Sequence, residues 1–333
     1  MKKTSFKNKS ILITGATGSF GKSFVKKLII EKYPFRRIII FSRDELKQFE
    51  MKTNTFFDDT KHKNLRYFIG DVRDQERIER ALENIDCVVH AAALKQISTA
   101  EYNPIECIKT NIIGAQNIIE ACINKKIKKV VALSSDKAVA PHNLYGSTKL
   151  CSDKIFISSN LYSGDKLKSS VVRYGNVLGS RGSIAPLFVS LKDSGYFPIT
   201  HPKMTRFNIT LKESVEMVDW TIKNALGGEI VVPKLKSFKV IDMAKAVNSK
   251  NKLKIIGVKR GEKFHEELIT NNDSPYTIDI GKYYLVLPNN DAKTIQKYKS
   301  KFNCKKIKGN FSYTSEQKSY LSIPEIQKLI KSI

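Results

Sequence analysis

The chain has little of several features that direct a protein to particular classes. Its 333 residues include only five cysteines, and none of them forms a C-x-x-C pair. The odd count and scattered positions support neither a disulfide framework nor a zinc site, so we expect reduced, mostly buried thiols. No apolar run approaches the length of a bilayer span, and the segment after the basic N-terminus is too short and glycine-broken for a cleaved signal. These absences predict a cytoplasmic protein.

Acidic residues are also scarce, since 32 Asp and Glu stand against 58 Lys and Arg and give a formal net charge of +26. Such an excess is typical of proteins that bind nucleic acids or membranes. Here, however, the basic residues extend from Lys2 to Lys331, and the densest clusters, at 61–63 and 125–129, lack the aromatic residues that stack on bases. We therefore expect solvated lysines whose field attracts an anionic substrate, and neither a nucleic acid nor a membrane as partner.

Short β-branched runs alternate with helical stretches over the first half of the chain. This alternation predicts an α/β fold, a Rossmann-type doubly wound parallel sheet with helices on both faces. Ligands of such folds bind beyond the carboxyl ends of the strands. Strands are predicted at 10–14, 37–41, 66–70, 86–92, 128–135 and 169–175, and helices at 18–32, 44–52, 73–84, 103–125 and 144–159.

The pattern becomes less regular after residue 176. We predict a dinucleotide-binding domain over residues 1–176 and a smaller, mainly substrate-binding lobe over 177–333. Segments 229–233 and 252–258 read as strands, and one or both are expected to return to the sheet. Near the C-terminus, Ser322 and Glu325 have the spacing of a capping box, which predicts a further helix.

Three glycines stand directly between the first predicted strand and its helix, in the sequence TGATGSFG. Gly15, Gly18 and Gly21 let the backbone turn tightly and approach a pyrophosphate, while the helix offers unpaired N–H groups and the positive end of its dipole. This context predicts a dinucleotide site. The same loop contributes Thr17, Ser19 and Phe20.

The end of the second strand indicates which dinucleotide is bound. It reads Phe41-Ser42-Arg43-Asp44, with Lys47 one turn further along a predicted helix. A guanidinium and an ammonium suit a 2′-phosphate, which favours NADP. Asp44 keeps NAD open as the alternative, although it equally suits the N-cap of that helix.

Later strand ends supply weaker cofactor contacts. Asp71 and Val72 follow the third strand, where an adenine would lie. Small side chains follow the fourth strand, although close packing explains them equally well, and Val177 follows the sixth. The three small residues are Ala91, Ala92 and Ala93.

The segment SSDKAVAPHNLYGSTK carries several titratable groups. Tyr145 and Lys149 are four residues apart, so they share one face of a helix. A tyrosine titrates near ~10, and a neighbouring ammonium and a nicotinamide cation favour its phenolate. Tyr145 is therefore a candidate base for a hydroxyl proton. From the residues alone, Asp136-Lys137 is better explained as a solvated ion pair on a loop.

These residues together resemble a known family. The glycine fingerprint, Asp71 at a strand end, the AAA run and Y-x-x-x-K resemble extended short-chain dehydrogenases/reductases. The match is closer to the inverting UDP-N-acetylglucosamine 4,6-dehydratases of pseudaminic acid biosynthesis. It rests on motifs that run in order from about residue 9 to 270: SFGKSF, FSRDELKQFEM, YFIGDVRD, HAAALK, EYNPIECIKTNI, SSDKA, NLYGSTKL, VVRYGNVLGSRGS, MTRF and GEKFHEELI.

The resemblance implies a reaction and a role for each group. The family oxidises the sugar at C4, eliminates water across C5–C6 and returns hydride to C6. Tyr145 would take the C4 hydroxyl proton, with Lys149 lowering its pKa and holding the nicotinamide ribose. Lys137 would remove the C5 proton and Asp136 would protonate the departing hydroxyl. A base role requires a lowered lysine pKa, and an acid role requires a raised aspartate pKa.

The resemblance also implies substrate contacts. Lys95 and Asn176 would face the sugar, and Arg181, Arg206 and Glu262 would hold the UDP portion. Where the family tends to read R-P-G-E-K, this chain has Lys259-Arg260-Gly261-Glu262-Lys263, so either Lys259 or Arg260 would bind the diphosphate. Two further departures are Gln96, where the family often has histidine, and Asn208, where it often has an aromatic residue.

Other functions remain open on the sequence. A UDP-sugar 4-epimerase or a C5-retaining dehydratase keeps the fold, and a non-catalytic dinucleotide sensor or nucleic-acid binder belongs to another class. His265-Glu266 lacks a second histidine four residues after the first, so we predict no metal. Relatives suggest self-association through helices near 103–125 and 144–159, as a dimer or a larger homo-oligomer.

Overall fold

A computed structural model describes residues 6–164, 166–180, 182–307 and 309–331 of the chain. Its strands are β1 Ser10–Thr14, β2 Arg37–Ser42, β3 Leu65–Ile69, β4 Cys87–His90, β5 Lys129–Ser135, β6 Lys168–Tyr174, β7 Asn176–Val177, β8 Tyr196–Ile199, β9 Thr205–Ile209, β10 Ile230–Pro233, β11 Ser237–Lys239, β12 Lys252–Ile255, β13 Glu267–Ile269, β14 Thr277–Asp279, β15 Tyr283–Val286, β16 Lys305–Lys306 and β17 Tyr313–Thr314.

The α-helices are α1 Ser19–Ile30, α2 Glu45–Thr53, α3 Gln75–Ala81, α4 Ile97–Tyr102, α5 Pro104–Ile108, α6 Gly114–Asn124, α7 Leu144–Tyr162, α8 Ile184–Ser190, α9 Leu211–Asn224, α10 Val240–Val247, α11 Ala292–Lys299 and α12 Ile323–Ile330. A π-helical turn at Lys109–Ile113 joins α5 to α6. None of the helices in the described part of the chain is both long and apolar enough to span a membrane.

The main sheet has ten strands in the order β16-β14-β15-β10-β6-β5-β4-β1-β2-β3. The strands from β3 to β10 in this order run parallel, whereas β15, β14 and β16 pair antiparallel at the other edge. The strand order reverses between β1 and β4, and in such sheets this switch point opens the binding crevice. The predicted Rossmann-type fold is confirmed.

Both faces of the sheet are covered, as the doubly wound pattern requires. Side chains of a strand alternate between the faces, so Ile11 and Ile13 pack into one core with α1 and α9. Leu12 points to the other face and packs into a second core with α6 and α7. A third, separate core joins α8, α10 and α12 around Phe197 and Phe238.

Segments beyond residue 176 also contribute to the main sheet. β10, within the predicted strand 229–233, pairs with β6, whereas β12, within 252–258, pairs with β8 outside that sheet. The hairpin of β14 and β15, which the sequence analysis missed, adds the antiparallel edge. Its turn contains Gly281 at φ +88°. The division into two domains at residue 176 stays a prediction.

The predicted helix 103–125 is interrupted by the π-helical turn. The side chain of the buried Asn111 lies in this turn. Its amide bonds both the N–H and the carbonyl of Leu94 and donates to the Thr148 hydroxyl at 3.0 Å. One extra residue in the turn therefore lets an amide fasten the β4–α4 loop to α7, and hydrophobic periodicity carries no sign of it.

The predicted capping box begins α12. The Ser322 hydroxyl accepts from the Glu325 N–H, and the Glu325 carboxylate accepts from the Ser322 N–H at 2.8 Å. The cap fixes the helix whose Ile326 is fully buried in the third core.

We expect Ser322→Ala to lower the free energy of unfolding by about 1 kcal/mol, because the first helical turn loses its acceptor. Ser319→Ala is the matched control, since Ser319 is an exposed serine just before the cap. Denaturant unfolding of both variants measures the difference. Equal midpoints for the two variants would contradict the prediction.

Candidate active site

A cavity of about 560 Å³ lies beyond the carboxyl ends of the parallel strands. The structure brings every predicted cofactor-binding residue to its wall, together with Lys95 and Asn176. The cofactor-binding residues are Gly15, Thr17, Gly18, Ser19, Phe20, Gly21, Ser42, Arg43, Asp44, Lys47, Asp71, Val72, Ala91, Ala92, Ala93, Tyr145, Lys149 and Val177. Asp136 and Lys137 also line it. One continuous cavity therefore joins the glycine loop to all four predicted catalytic side chains.

The glycine loop forms a cradle that a side chain would fill. Gly15 has φ +62°, and a Cβ atom there would lie 2.9 Å from the backbone nitrogen of Ala92. Gly18 precedes the first turn of α1, whose N–H groups face the cavity end. The Thr14 hydroxyl accepts from the N–H groups of Ala91 and Ala92 at 3.1 Å and so ties β1 to β4. This geometry fits a pyrophosphate on the helix N-terminus.

The end of β2 presents more positive than negative charge to the cavity. Asp44 caps α2 by accepting from the Lys47 N–H at 2.9 Å, and it also pairs with the Lys47 ammonium. The Arg43 guanidinium is half exposed and lies 3.6 Å from Asp71. The carboxylate that would select NAD is thus already bonded at the helix start, while Arg43 stays at the rim of the cavity.

Tyr145 and Lys149 lie on the first two turns of α7. The Asn143 side chain caps this helix by accepting from the Gly146 N–H at 2.8 Å. Both residues are buried. Burial outweighs the opposing effects of Lys137 and of a hydrogen bond with Ser135, and raises the pKa of Tyr145 to about 12. We expected Lys149 to lower the phenol's pKa, but the cation that acts on it here is Lys137.

Lys149 belongs to a buried network that continues along α7. Burial lowers the pKa of Lys149, and the nearby Asp153 opposes this by favouring the ammonium. Asp153 accepts from the Ser134 hydroxyl at 2.8 Å and lies 3.4 Å from the Arg173 guanidinium. The ammonium therefore has a fixed counter-charge that the sequence analysis did not identify.

Asp136 follows β5 directly and is fully buried. Its Oδ1 atom accepts from the Ser135 hydroxyl at 2.8 Å and from Lys137 Nζ at 3.2 Å, whereas its buried Oδ2 atom has no hydrogen-bond partner among the described residues. Burial raises the pKa of Asp136, although the Lys137 ammonium opposes the rise. A raised pKa is what the acid role requires.

Lys137 differs from the expectation. Burial disfavours its ammonium, but the carboxylates of Asp136 and Glu266 outweigh burial, so the pKa of Lys137 lies above its ordinary value. Its Nζ atom lies 3.2 Å from Asp136 and 3.4 Å from Glu266. A base role requires the ammonium to lose a proton first, and two carboxylates resist that loss.

A second cavity of about 260 Å³ adjoins the first and shares Lys137 and Asn176 with it. Arg206, Lys259 and Glu262 line it. Arg260 is exposed and is not among the described residues that line either cavity. The geometry therefore favours Lys259 over Arg260 as the cation that faces a ligand.

Two predicted positions and the metal prediction remain. Arg181 lies outside the described residues. The His265 ring contacts the Thr205 hydroxyl at 2.8 Å and lies near Glu316. In the described ranges, no group of His, Cys, Asp and Glu side chains has the arrangement of a metal site.

Four residues of the site are not predicted from the sequence, and these are Ser135, Asn111, Asp153 and Glu266. Ser135 stands beside Asp136 and carries a local signal, a hydroxyl at a strand end. Asp153 follows Lys149 by four residues on α7, a spacing that the sequence does show. Asn111 and Glu266 act on side chains that are distant in sequence, and a single sequence does not show such contacts.

Comparisons with known proteins agree with the fold and with the resemblance described above. The family described as "Polysaccharide biosynthesis protein" matches residues 11–288. A UDP-N-acetylglucosamine 4,6-dehydratase (inverting) of Campylobacter jejuni subsp. jejuni serotype O:23/36 (strain 81-176) is 48% identical over 93% of this chain and 93% of its own length. The chain belongs to the polysaccharide biosynthesis protein family. Its resemblance to the inverting dehydratases is confirmed.

Other members of the family carry a different name. A UDP-glucose 4-epimerase of Rickettsia akari (strain Hartford) is 38% identical over 98% of this chain and 97% of its own length. Among solved structures, Pen from Bacillus thuringiensis has a TM-score of 0.88 and 35% identity, with 98% of each chain covered. DesIV, a dTDP-glucose 4,6-dehydratase from Streptomyces venezuelae solved with NAD and TYD, has a TM-score of 0.68, covers 77% of this chain and 86% of its own, and at 19% identity supports the fold alone.

Gly146 brings α7 against the catalytic turn. A Cβ atom at this position would lie 2.2 Å from the Lys137 carbonyl oxygen, so only glycine allows the close approach. We expect Gly146→Ala to displace the turn and to lower the free energy of unfolding by about 1–3 kcal/mol.

Ser158→Ala is the control, because Ser158 is exposed on the same helix and such a change alters stability by about 0.5 kcal/mol or less. Thermal unfolding compares the two variants. A wild-type melting temperature for Gly146→Ala would show that the contact tolerates a methyl group.

Proposed function

We propose that the protein is an NADP-dependent UDP-N-acetylglucosamine 4,6-dehydratase that inverts C5. Its product would be UDP-2-acetamido-2,6-dideoxy-β-L-arabino-hex-4-ulose. The observation that carries the proposal is the ion pair between the half-buried Lys137 and the fully buried Asp136, in the same cavity as Tyr145. The 48% identity to proteins that bear this name supports the substrate and the stereochemistry.

The first cavity would hold the dinucleotide and the second the UDP group. The glycine loop and α1 suit a pyrophosphate, and Arg43 with Lys47 suits a 2′-phosphate. Arg206 and Lys259 would face the diphosphate, with Arg181 and Glu262 as further contacts to UDP. Lys95 and Asn176 would contact the hexose near the shared wall.

The dinucleotide supplies a hydride acceptor for C4 and a hydride donor for C6. Tyr145, in its phenolate form, takes the proton of the C4 hydroxyl. The C4 ketone acidifies the C5 proton, which passes to Lys137 in its neutral amine form. Asp136, kept protonated by burial, delivers its proton to the C6 hydroxyl as it leaves.

An epimerase is the second candidate, because relatives with that name are 38% identical over nearly the whole chain. Epimerisation at C4 needs no acid for a leaving hydroxyl and no base at C5. Asp136 and Lys137 would therefore have no role in it. A cytoplasmic location, self-association and a place in pseudaminic acid biosynthesis stay predictions.

Incubation with UDP-N-acetylglucosamine in heavy water separates the candidates. We expect loss of water and a 4-keto-6-deoxy product of L-arabino configuration with deuterium at C5. A 4-epimer without loss of water would identify an epimerase, and a D-xylo product would identify a C5-retaining dehydratase.

We expect Lys137→Met to lower kcat by about 10²–10⁴-fold and to abolish deuterium incorporation at C5, because the base is lost while the shape is kept. Lys154→Met is the control, since Lys154 is exposed on the outer side of α7. Turnover measurements give kcat, and mass spectrometry of the product gives deuterium incorporation at C5. Incorporation at the wild-type rate in Lys137→Met would assign the base to another residue.

We expect Arg43→Ala to weaken NADP binding about tenfold while NAD binding changes little, because one charge-assisted contact to the 2′-phosphate is removed. Titration calorimetry with both dinucleotides measures the ratio. Lys52→Ala serves as the control, since Lys52 pairs with Asp59 at the far end of α2. Wild-type protein that prefers NAD, or an unchanged ratio in the variant, would refute the assignment.

A further inference from the structure

Glu266 faces the catalytic lysine from the second cavity. Its Oε1 atom lies 3.4 Å from Lys137 Nζ and 3.6 Å from Arg206 Nε. The residue is 2% exposed, and its Oε2 atom is buried without a hydrogen-bond partner among the described residues. Burying a carboxylate costs free energy, and here one oxygen lies near two cations while the other has no partner. The position of Glu266 therefore indicates a function.

The backbone fixes Glu266 at this place. Its N–H donates to the Ser315 hydroxyl at 2.8 Å, and its carbonyl accepts from the Ser315 N–H at 2.7 Å. β13 follows immediately and pairs with β17. A strand from the C-terminal part of the chain therefore holds the carboxylate against Lys137.

Several other charged or titratable groups act on Lys137, and they come from different elements. Asp136 precedes it in the turn after β5, Tyr145 lies on α7, and Arg206 lies on β9. Two further ammonium groups act from the loops after β4 and β12. These two are Lys95 and Lys263.

We propose that Glu266 is a positioning residue that holds Lys137 Nζ towards the hexose and sets the pH above which this lysine accepts the C5 proton. The inference rests on the proposed dehydratase function. Asp136 is a neighbour in sequence and donates its own proton to the leaving group. Glu266 is therefore the carboxylate that stays ionised beside Lys137 through the reaction.

The direction of the effect follows from charge. A carboxylate beside an ammonium favours the protonated lysine, so removing that charge lowers the pKa of Lys137. Neutral amine then forms at lower pH, and the ascending limb of the kcat profile moves down the pH scale. The same change removes an anchor of Nζ, so the plateau of kcat falls.

The test compares Glu266→Gln and Glu266→Asp with wild type, by kcat and KM for UDP-N-acetylglucosamine between pH 7 and 12, because the raised pKa of Lys137 places the limb at the alkaline end. We expect Glu266→Gln to move the ascending limb down by about one pH unit, equal to a tenfold change in proton affinity. Its plateau falls on the order of tenfold or more, because the base is misplaced. Glu266→Asp keeps the negative charge but places it further from Lys137 Nζ. Its ascending limb is therefore expected between those of wild type and Glu266→Gln.

Glu267→Gln is the matched control, since the next residue carries the same charge and does not act directly on Lys137. We expect the ascending limb of the kcat profile of Glu267→Gln at the same pH as in wild type. Melting temperatures and NADP affinity of each variant are measured alongside, and Glu266→Asp carries the test if Glu266→Gln does not fold.

The outcomes separate the two proposals. Wild-type protein that does not dehydrate UDP-N-acetylglucosamine overturns the proposed function. A different result overturns the role of Glu266 alone. In that case wild type dehydrates UDP-N-acetylglucosamine, but the ascending limb of the kcat profile is unmoved or lies at higher pH in both Glu266 variants.

Discussion

The half-buried ammonium of Lys137 makes the ion pairs on which the rest of the site depends. It lies in the wall shared by the two cavities and within 3.4 Å of carboxylates from two distant segments. Separating such charges inside a protein leaves an uncompensated buried ion, which is strongly destabilising. The turn after β5 and the residue before β13 are therefore held together by the charge of the side chain that is proposed as the base.

The charge cluster explains why neighbouring residues perform opposite tasks. Burial acts on both Asp136 and Lys137, yet it raises the pKa of the acid, while the carboxylates keep the lysine protonated. Tyr145 shares this field, because the Lys137 cation opposes the effect of burial on the phenol. A change at one of these groups thus alters proton affinity at the others, and pH profiles will report the cluster rather than single residues.

The sequence alone was sufficient for the parallel sheet, the glycine turn and the capping box of α12, because each rests on local periodicity or on residues a few positions apart. It was not sufficient for the π-helical turn at Asn111, for the hairpin of β14 and β15, or for Glu266. Those features depend on packing between distant segments. The base role implied by the resemblance requires a lowered pKa of Lys137, whereas Asp136 and Glu266 raise it.

The residues after β5 carry more functional information than the fold does. Relatives named as dehydratases and as epimerases share this family, and a Tyr145-Lys149 pair beside a dinucleotide suits both reactions. What separates the reactions is whether a protonated acid and a base face C6 and C5. In this chain, a fully buried Asp136 with a raised pKa adjoins an amine that a second carboxylate holds in place. Elimination of water requires both groups, whereas transfer of hydride at C4 requires neither.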